Sequence, residues 1–133
     1  MQIRLEHIYF NDVKLKATTS NKKISDTFKT TLNFDAFLNK EISSNHFSIK
    51  LSVILKSKGF NFSVNSIAIF QTDQQLDDNF INSPFCKINA PAIAFPFVRT
   101  FISNTTLNSG YDPVILPSFN FVKIYNEEKN SNN

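Results

Sequence analysis

The candidates for chemistry in this 133-residue chain are its two histidines, its one cysteine, the adjacent Asp77 and Asp78, and Ser103, Ser109 and Ser118 from among its serines. His7 and His46 are far apart in sequence, and neither belongs to a closely spaced ligand motif of the kind that holds zinc. His7 falls in an expected strand, where a partly buried or surface imidazole is the ordinary reading. Cys86 has no neighbouring His or basic cluster to draw out a thiolate, so it is expected as a buried, inert thiol. Asp77 and Asp78 resemble paired carboxylates only on paper. Adjacent side chains point apart on a helix, and two acids there favour a helix N-terminus electrostatically. Ser103, Ser109 and Ser118 stand in no nucleophile-elbow context. The chain has only two glycines, which argues against glycine loops that cradle phosphates or dinucleotides. Without an acid–base constellation, an enzyme is not expected, and no cofactor or metal is implied.

Charge and composition narrow the partners. The formal charge is +3, with an isoelectric point near 9.0. Lys14, Lys16, Lys29, Lys50, Lys56 and Lys58 are scattered along the sequence, and only Lys22 and Lys23 are adjacent. That pattern fits a solvated surface, and no nucleic acid partner is expected. A nucleic-acid binder would need lysines on the polar strand faces to merge into one patch with exposed aromatics between them. One cysteine excludes an intrachain disulfide and favours a reducing compartment. The start MQIRLEHIYF lacks an apolar core and a small-residue cleavage site, and no apolar run approaches the roughly 20 residues of a membrane helix. A cytoplasmic protein with no direct membrane insertion is the expectation.

The elements that must position these residues follow from periodicity. Three segments alternate with period two, the signature of strands with one buried face. Phe28, Leu32, Phe34, Ala36 and Leu38 share one face; Phe47, Ile49, Leu51, Val53 and Leu55 share another; Phe60, Phe62, Val64, Ala68 and Phe70 a third. Ile67 and Ile69 break the last pattern and predict cover on both faces there. KSKG at 56–59 reads as a tight connection. An earlier strand fits 2–17, with a bulge or bend at IYFND. Residues 18–26 and 39–45 read as loops. The chain should form a single domain over 1–133, with four antiparallel strands followed by helices, hence α+β.

After Phe70 the period changes. A short helix over Leu76, Phe80 and Ile81 should end before Pro84. In APAIAFPFVRTFIS, prolines 91 and 96 bracket an apolar run. Proline is cheap in the first helical turn and costly further inside. This predicts extended chain over 90–95, a helix over 96–108, and Gly110 as its C-terminal stop. Pro113 and Pro117 keep the next stretch extended. Residues 119–125 form a last turn or two of helix, and 126–133 is a polar tail that frays. The irregular segments PFCKINAPAIAFP and PVILPSFNF are rich in Phe and Ile. They either roof the sheet or line a groove open to other chains.

The C-terminal third resembles the SecB family of export chaperones. FPFVR at 95–99 matches the family's Phe-Pro-aromatic-x-Arg helix start. Around it stand Pro91, Ile93, Ile102, Gly110, Pro113, Pro117 and the pair Asn120-Phe121. VNSIAIF at 64–70 is similar to the family's Val-rich strand ending in Ile-Phe, and Tyr9 and Asp12 fall at family-like spacing. The resemblance implies a four-stranded antiparallel sheet with helices packed on one face, and a homo-oligomer, usually a dimer of dimers. It also implies ATP-independent holding of unfolded or precursor polypeptides, some destined for the motor SecA. Carried over by position, the client-binding residues are Val64, Phe70, Pro91, Ile93, Phe119, Phe121 and Tyr125, with extended 91–95 as one groove wall. Asp12 is the implied partner-docking residue, while Lys16 and Ser63 stand where the family offers acids to SecA. The same fold also admits a dedicated role, such as a chaperone for one antitoxin-type client.

Overall fold

Period-two patterning builds the sheet. Four strands, β1 (Ile3–Ala17), β2 (Lys29–Leu38), β3 (His46–Lys56) and β4 (Phe60–Thr72), pair antiparallel in the spatial order β1-β4-β3-β2. The computed structural model describes residues 1–18 and 28–131. The loop expected over 18–26 therefore lies outside the described residues, save Thr18. On one face Phe47, Ile49, Leu51, Val53 and Leu55 of β3 are fully buried. They stand in register with Leu38, Ala36, Phe34, Leu32 and Thr30 of β2 and with Phe70, Ala68, Ser66, Val64 and Phe62 of β4. Ile67 and Ile69 lie on the other face. They are half-buried between register neighbours, Tyr9 and Lys50 beside Ile67, His7 and Ser48 beside Ile69.

The irregular middle of β1 contains two bulges. Register shifts fall between Leu5 and His7 and between Asn11 and Lys14. Each extra residue flips the parity of the residues after it. Ile3 and Leu5 face the core, then Ile8 and Phe10, then Leu15 and Ala17, each opposite a core-facing residue of β4. Asp12, in the second bulge, takes φ 50°, a left-handed conformation that Asp tolerates better than most residues.

The helical region corrects the sequence reading of 90–95. Helix α1 spans Ala90–Asn108 and is preceded without a break by a π turn at Phe85–Asn89. The PAIAF segment is therefore helical, not extended. Pro91 is the second residue of α1, at its junction with the π turn, where the missing N–H leaves one carbonyl of that turn without a helical partner. Pro96 lies inside the helix and frees the carbonyl of Ala92. Both residues are on the exposed side, where water can satisfy that oxygen, while Ala90, Ala94, Val98 and Ile102 on the other side are fully buried. Burial of that face outweighs the lost bond. Phe101 stacks on Phe10 of β1, with ring centroids 4.1 Å apart and planes within 7°.

The C-terminal stop is as expected. Gly110 takes φ 93°, its N–H reaches the carbonyl of Leu107, and Tyr111 N–H reaches that of Thr106. This is the paired closure of a left-handed cap. The extended segment 112–120 is then clamped to α1. Thr106 Oγ1, fully buried, accepts the N–H of Val114 at 3.0 Å, and Ser103 Oγ donates to the Val114 carbonyl at 2.5 Å. Upstream, the short helix is 3-10 and covers Asp78–Asn82. Asp77 caps it by accepting from Asn79 N–H at 3.0 Å, as the acid pair suggested. Helix α2 covers Phe121–Ser131, so the tail expected to fray from 126 is helical to 131; residues 132–133 lie outside the described residues.

Candidate functional site

The chemistry-bearing residues are mostly structural. His46, 7% exposed, joins a cluster that sequence spacing could not show, because its partners come from different strands and a loop. Its Nε2 faces Glu6 Oε2 at 3.0 Å and its Nδ1 meets Ser43 Oγ at 2.6 Å. The connectivity resembles a serine–histidine–carboxylate relay. However, Ser43 Oγ also accepts the N–H of Asn45 at 3.0 Å, which makes it the staple of the turn at 43–46. The cluster latches the 39–45 loop to the first bulge of β1. Among the described residues, no group of three His, Cys, Asp or Glu could hold a metal ion.

Cys86 is fully buried, and desolvation pushes its pKa up to about 12, against a smaller downward pull from the adjacent Lys87. The native thiol should therefore resist a disulfide reagent at pH 8 and react promptly once the chain is unfolded. The linkage has a definite sign. An unfolded thiol ionises from about pH 8.5 upward, whereas the folded one stays neutral to about 12. The contribution of the neutral, buried thiol is intact below the lower value and lost progressively as pH rises toward the upper one. Urea unfolding at pH 8 and pH 10.5, compared with Cys86→Ala, measures that slope.

The residues carried over as client-binding do not form one surface. Val64 and Phe70 are 1% and 0% exposed, under the helical layer and inside the core, because β4 is a central strand with β1 and β3 on either side. They are not the floor of an open groove. Pro91 is buried in α1, and Ile93 sits on the outward side of the same helix. Phe119 and Phe121 do come together, both against Phe95, whereas Tyr125 lies one turn further along α2 beside a different hollow. Phe119 meets Phe95 edge-on at 5.1 Å; Phe121 meets Phe34 at 5.9 Å and Phe95 at 6.1 Å. Phe121 is 5% exposed, while Phe119 and Tyr125 are half-buried.

The open space lies beside this aromatic cluster, along edge strand β2. A trough of about 390 Å³ has Leu32, Phe34 and Ala36 as its floor, Ile81 of the 3-10 helix as one wall and Ile124 of α2 as the other. It shares Asn82, Lys87 and Glu128 with a second hollow of about 240 Å³ that includes Tyr125, so the two are continuous. Lys87 Nζ and Glu128 Oε1, 2.6 Å apart, bridge the π turn to α2 across the junction. A further depression of about 380 Å³ opens on the other side of the start of α2, with Ile88, Ala92, Phe119 and Phe121 in its lining. Leu32, Phe34 and Ala36 were legible only as the core-facing side of a strand. An edge strand half-covered by helices serves as core and as trough floor at once.

The arrangement sets the apolar side chains of Leu32, Phe34, Ala36, Ile81 and Ile124 along a groove that Asn33, Asp35, Asn82, Lys87 and Glu128 also line, so it can bury apolar side chains of another chain beside a polar rim. Residues 1–132 match the family model described as preprotein translocase subunit SecB. The chain is similar to the protein-export protein SecB of Ruegeria pomeroyi, 26% identical over 137 residues, covering 96% of this chain and 82% of that protein. It is 33% identical to that of Dinoroseobacter shibae over 86 residues, 61% of this chain and 49% of the relative's length. Among solved structures, a Mycobacterium tuberculosis SecB-like chaperone in complex with a peptide from an antitoxin matches with a TM-score of 0.69. The identity is 11%, and 88% of this chain and 87% of that one are covered. With its fold and nearly its full length accounted for, this chain belongs to the SecB family of chaperones.

Proposed function

We propose that the chain holds unfolded polypeptide in the trough along β2, without nucleotide. The observation that carries this reading is a floor of Leu32, Phe34 and Ala36 between two helical walls that contribute Ile81 and Ile124, in a lining that also carries Asn33, Asp35, Asn82, Lys87 and Glu128. Burial of client side chains there is non-directional, at about 25 cal/mol per Å² of apolar area, so sequence selectivity is low. Phe119 and Tyr125 extend the apolar surface at the two ends of the α2 wall. Clients are unfolded or export-bound precursor chains in the cytoplasm. Delivery to SecA is a subordinate role. Asp12, whose Oδ2 accepts from Asn65 Nδ2 at 3.4 Å, is the acidic residue kept for it, whereas Lys16 and Lys14 stand opposite Asn61 and Ser63 on that face. Ile93, Phe97 and Leu107 leave an apolar stripe on the outward side of α1 and support homo-oligomerisation, with a dimer of dimers as the end state. Several troughs on one assembly add by effective concentration.

Aggregation of several unrelated unfolded proteins tests the reading. The native chain should suppress all of them at near-stoichiometric ratios. Ile124→Glu, which puts a charge in the trough wall at a half-buried position, should weaken suppression at least about tenfold, because desolvating an unpaired carboxylate costs more than the apolar contact it replaces. Suppression of one client only would transfer the reading to a dedicated partner, the antitoxin-type role that the mycobacterial neighbour's peptide suggests. Suppression that survives Ile124→Glu across all clients rejects the trough. A solution mass of four times the 15.2 kDa chain is the expected assembly.

A further inference from the structure

The lysines that are scattered in sequence are gathered by strand register. Lys16 stands opposite Asn61, Asn61 opposite Lys56, and Lys56 opposite Lys29, so one row crosses all four strands on the outer face of the sheet. In the next row Lys14 stands opposite Ser63, which stands opposite Ile54. Lys58 lies in the turn that joins β3 to β4 at the same end, its carbonyl held by Thr18 Oγ1 at 2.8 Å. All five lysines are exposed. Among the described residues, the ion pairs Arg4–Glu6, Lys40–Asp78 and Lys87–Glu128 and the His46–Glu6 hydrogen bond involve none of them. Asp12 marks the border of the group, against Asn65, and Asp35 lies further along, opposite Lys50. Ile54, 43% exposed, is set among the lysines.

We propose that this end of the sheet's outer face is a docking surface for an anionic lipid bilayer. The row spans about 14 Å, three inter-strand spacings. Its charges are all lysines, compact hydrated point charges on flexible stems, rather than the planar forks that read a defined phosphate or carboxylate geometry. Tyr9, His7 and Phe37 share the face but lie towards its other end, so there is no stacking platform between the lysines for a nucleic-acid strand. A diffuse field of anionic headgroups needs neither forks nor stacking. Each lysine brought to it contributes about fivefold in affinity, and Ile54 can press shallowly into the interface. Such docking is peripheral and reversible, and it leaves the trough along β2 free.

Sedimentation of the full chain with vesicles tests it. Phosphatidylcholine alone is compared with phosphatidylcholine containing about one-third phosphatidylglycerol, at low salt and at about 0.5 M salt, where the Debye length falls to a few ångström. Binding is expected only to the anionic vesicles at low salt. It should fall at least about twentyfold in Lys16→Glu/Lys56→Glu, which changes two contributing charges. That variant should keep its thermal midpoint and its suppression of client aggregation. Lys40→Glu/Lys123→Glu, which makes the same change of net charge away from the patch, should stay within about twofold. An equal fall in this control would reduce the effect to net charge and overturn the proposal. So would absence of binding to anionic vesicles, or tighter salt-sensitive binding to an oligonucleotide or to polyglutamate than to vesicles. Because client suppression is read separately, failure here leaves the holding role standing.

Discussion

Phe121→Ala should release α2 from the domain while leaving the rest folded. Asn120 Oδ1 caps the first turn of that helix by accepting the N–H of Lys123 at 3.0 Å, but among the described residues of α2 Phe121 alone is buried. Phe121 is the first residue of α2, 5% exposed, and lies edge-on to Phe34 of the sheet and Phe95 of α1. Ile124 is only partly buried, and Lys87–Glu128 joins side chains that are 21% and 46% exposed, a pair whose worth is within about 1 kcal/mol. Truncating a buried Phe to Ala costs about 3–5 kcal/mol. An isolated helix of 11 residues does not persist in water, so the loss falls on α2 first and appears as local unfolding. The expected signature is a fall in helical circular dichroism matching about one turn-rich segment, hydrogen exchange over 121–131 accelerated by at least about a hundredfold, and a urea midpoint for the sheet that barely moves. Client suppression should drop, because Ile124 leaves with the helix and the trough keeps only one wall. Val122→Ala, at a half-exposed neighbouring position, should stay within about 0.5 kcal/mol. Protected exchange over α2 in Phe121→Ala would show that the helix is held by something other than this aromatic contact.

What was legible in the sequence was whatever a single period could encode. β2 and β3 alternate cleanly, and β4 does so until Ile67 and Ile69 make both of its faces apolar, so their core faces could be assigned, and the order of strands then helices pointed to the α+β class. β1 was legible at its two ends only, because two bulges change parity twice and each bulge answers to the register of β4 rather than to its own sequence. The segment 90–95 is misread when the cost of an internal proline is weighed locally, at about 3 kcal/mol. The four side chains that α1 buries at 90, 94, 98 and 102 outweigh that cost, and they become visible only when the sheet is in place. The trough was hidden for a related reason. Period two marks Leu32, Phe34 and Ala36 as inward-facing but cannot say that β2 is an edge strand whose inward face is only half roofed. The resemblance carried Val64 and Phe70 over as groove residues by position alone, whereas β4 lies between two neighbours and under the helices. The lysine row is likewise invisible in sequence, since its members come from three strands.

Phe47→Ala should produce the opposite thermodynamic signature from Phe121→Ala. Phe47 is fully buried in β3, which is paired on both sides. Its ring stacks on Phe70 at 5.1 Å with planes within 10°, and meets Phe80 at 4.9 Å and 65°. The central strands around it cannot collapse into the space a truncated ring leaves, so the cost includes a cavity and reaches about 3–5 kcal/mol, a large share of the 5–15 kcal/mol that stabilises a typical domain. Because β3 and β4 belong to the last part of the molecule to open, the loss is global: the urea midpoint should fall with an unchanged slope. Phe47→Leu, which keeps most of the volume, should cost no more than about 1.5 kcal/mol. There is a functional consequence through Phe80, which is 6% exposed and seats the 3-10 helix on the sheet. That helix carries Ile81 into the trough wall, so Phe47→Ala should weaken client holding even at temperatures where it remains folded. The two truncations thus remove opposite walls of one trough by different routes, one leaving global stability in place and one lowering it. Equal client suppression by native chain and Phe47→Ala under folding conditions would sever the 3-10 helix from the binding surface and leave α2 as its only structural wall.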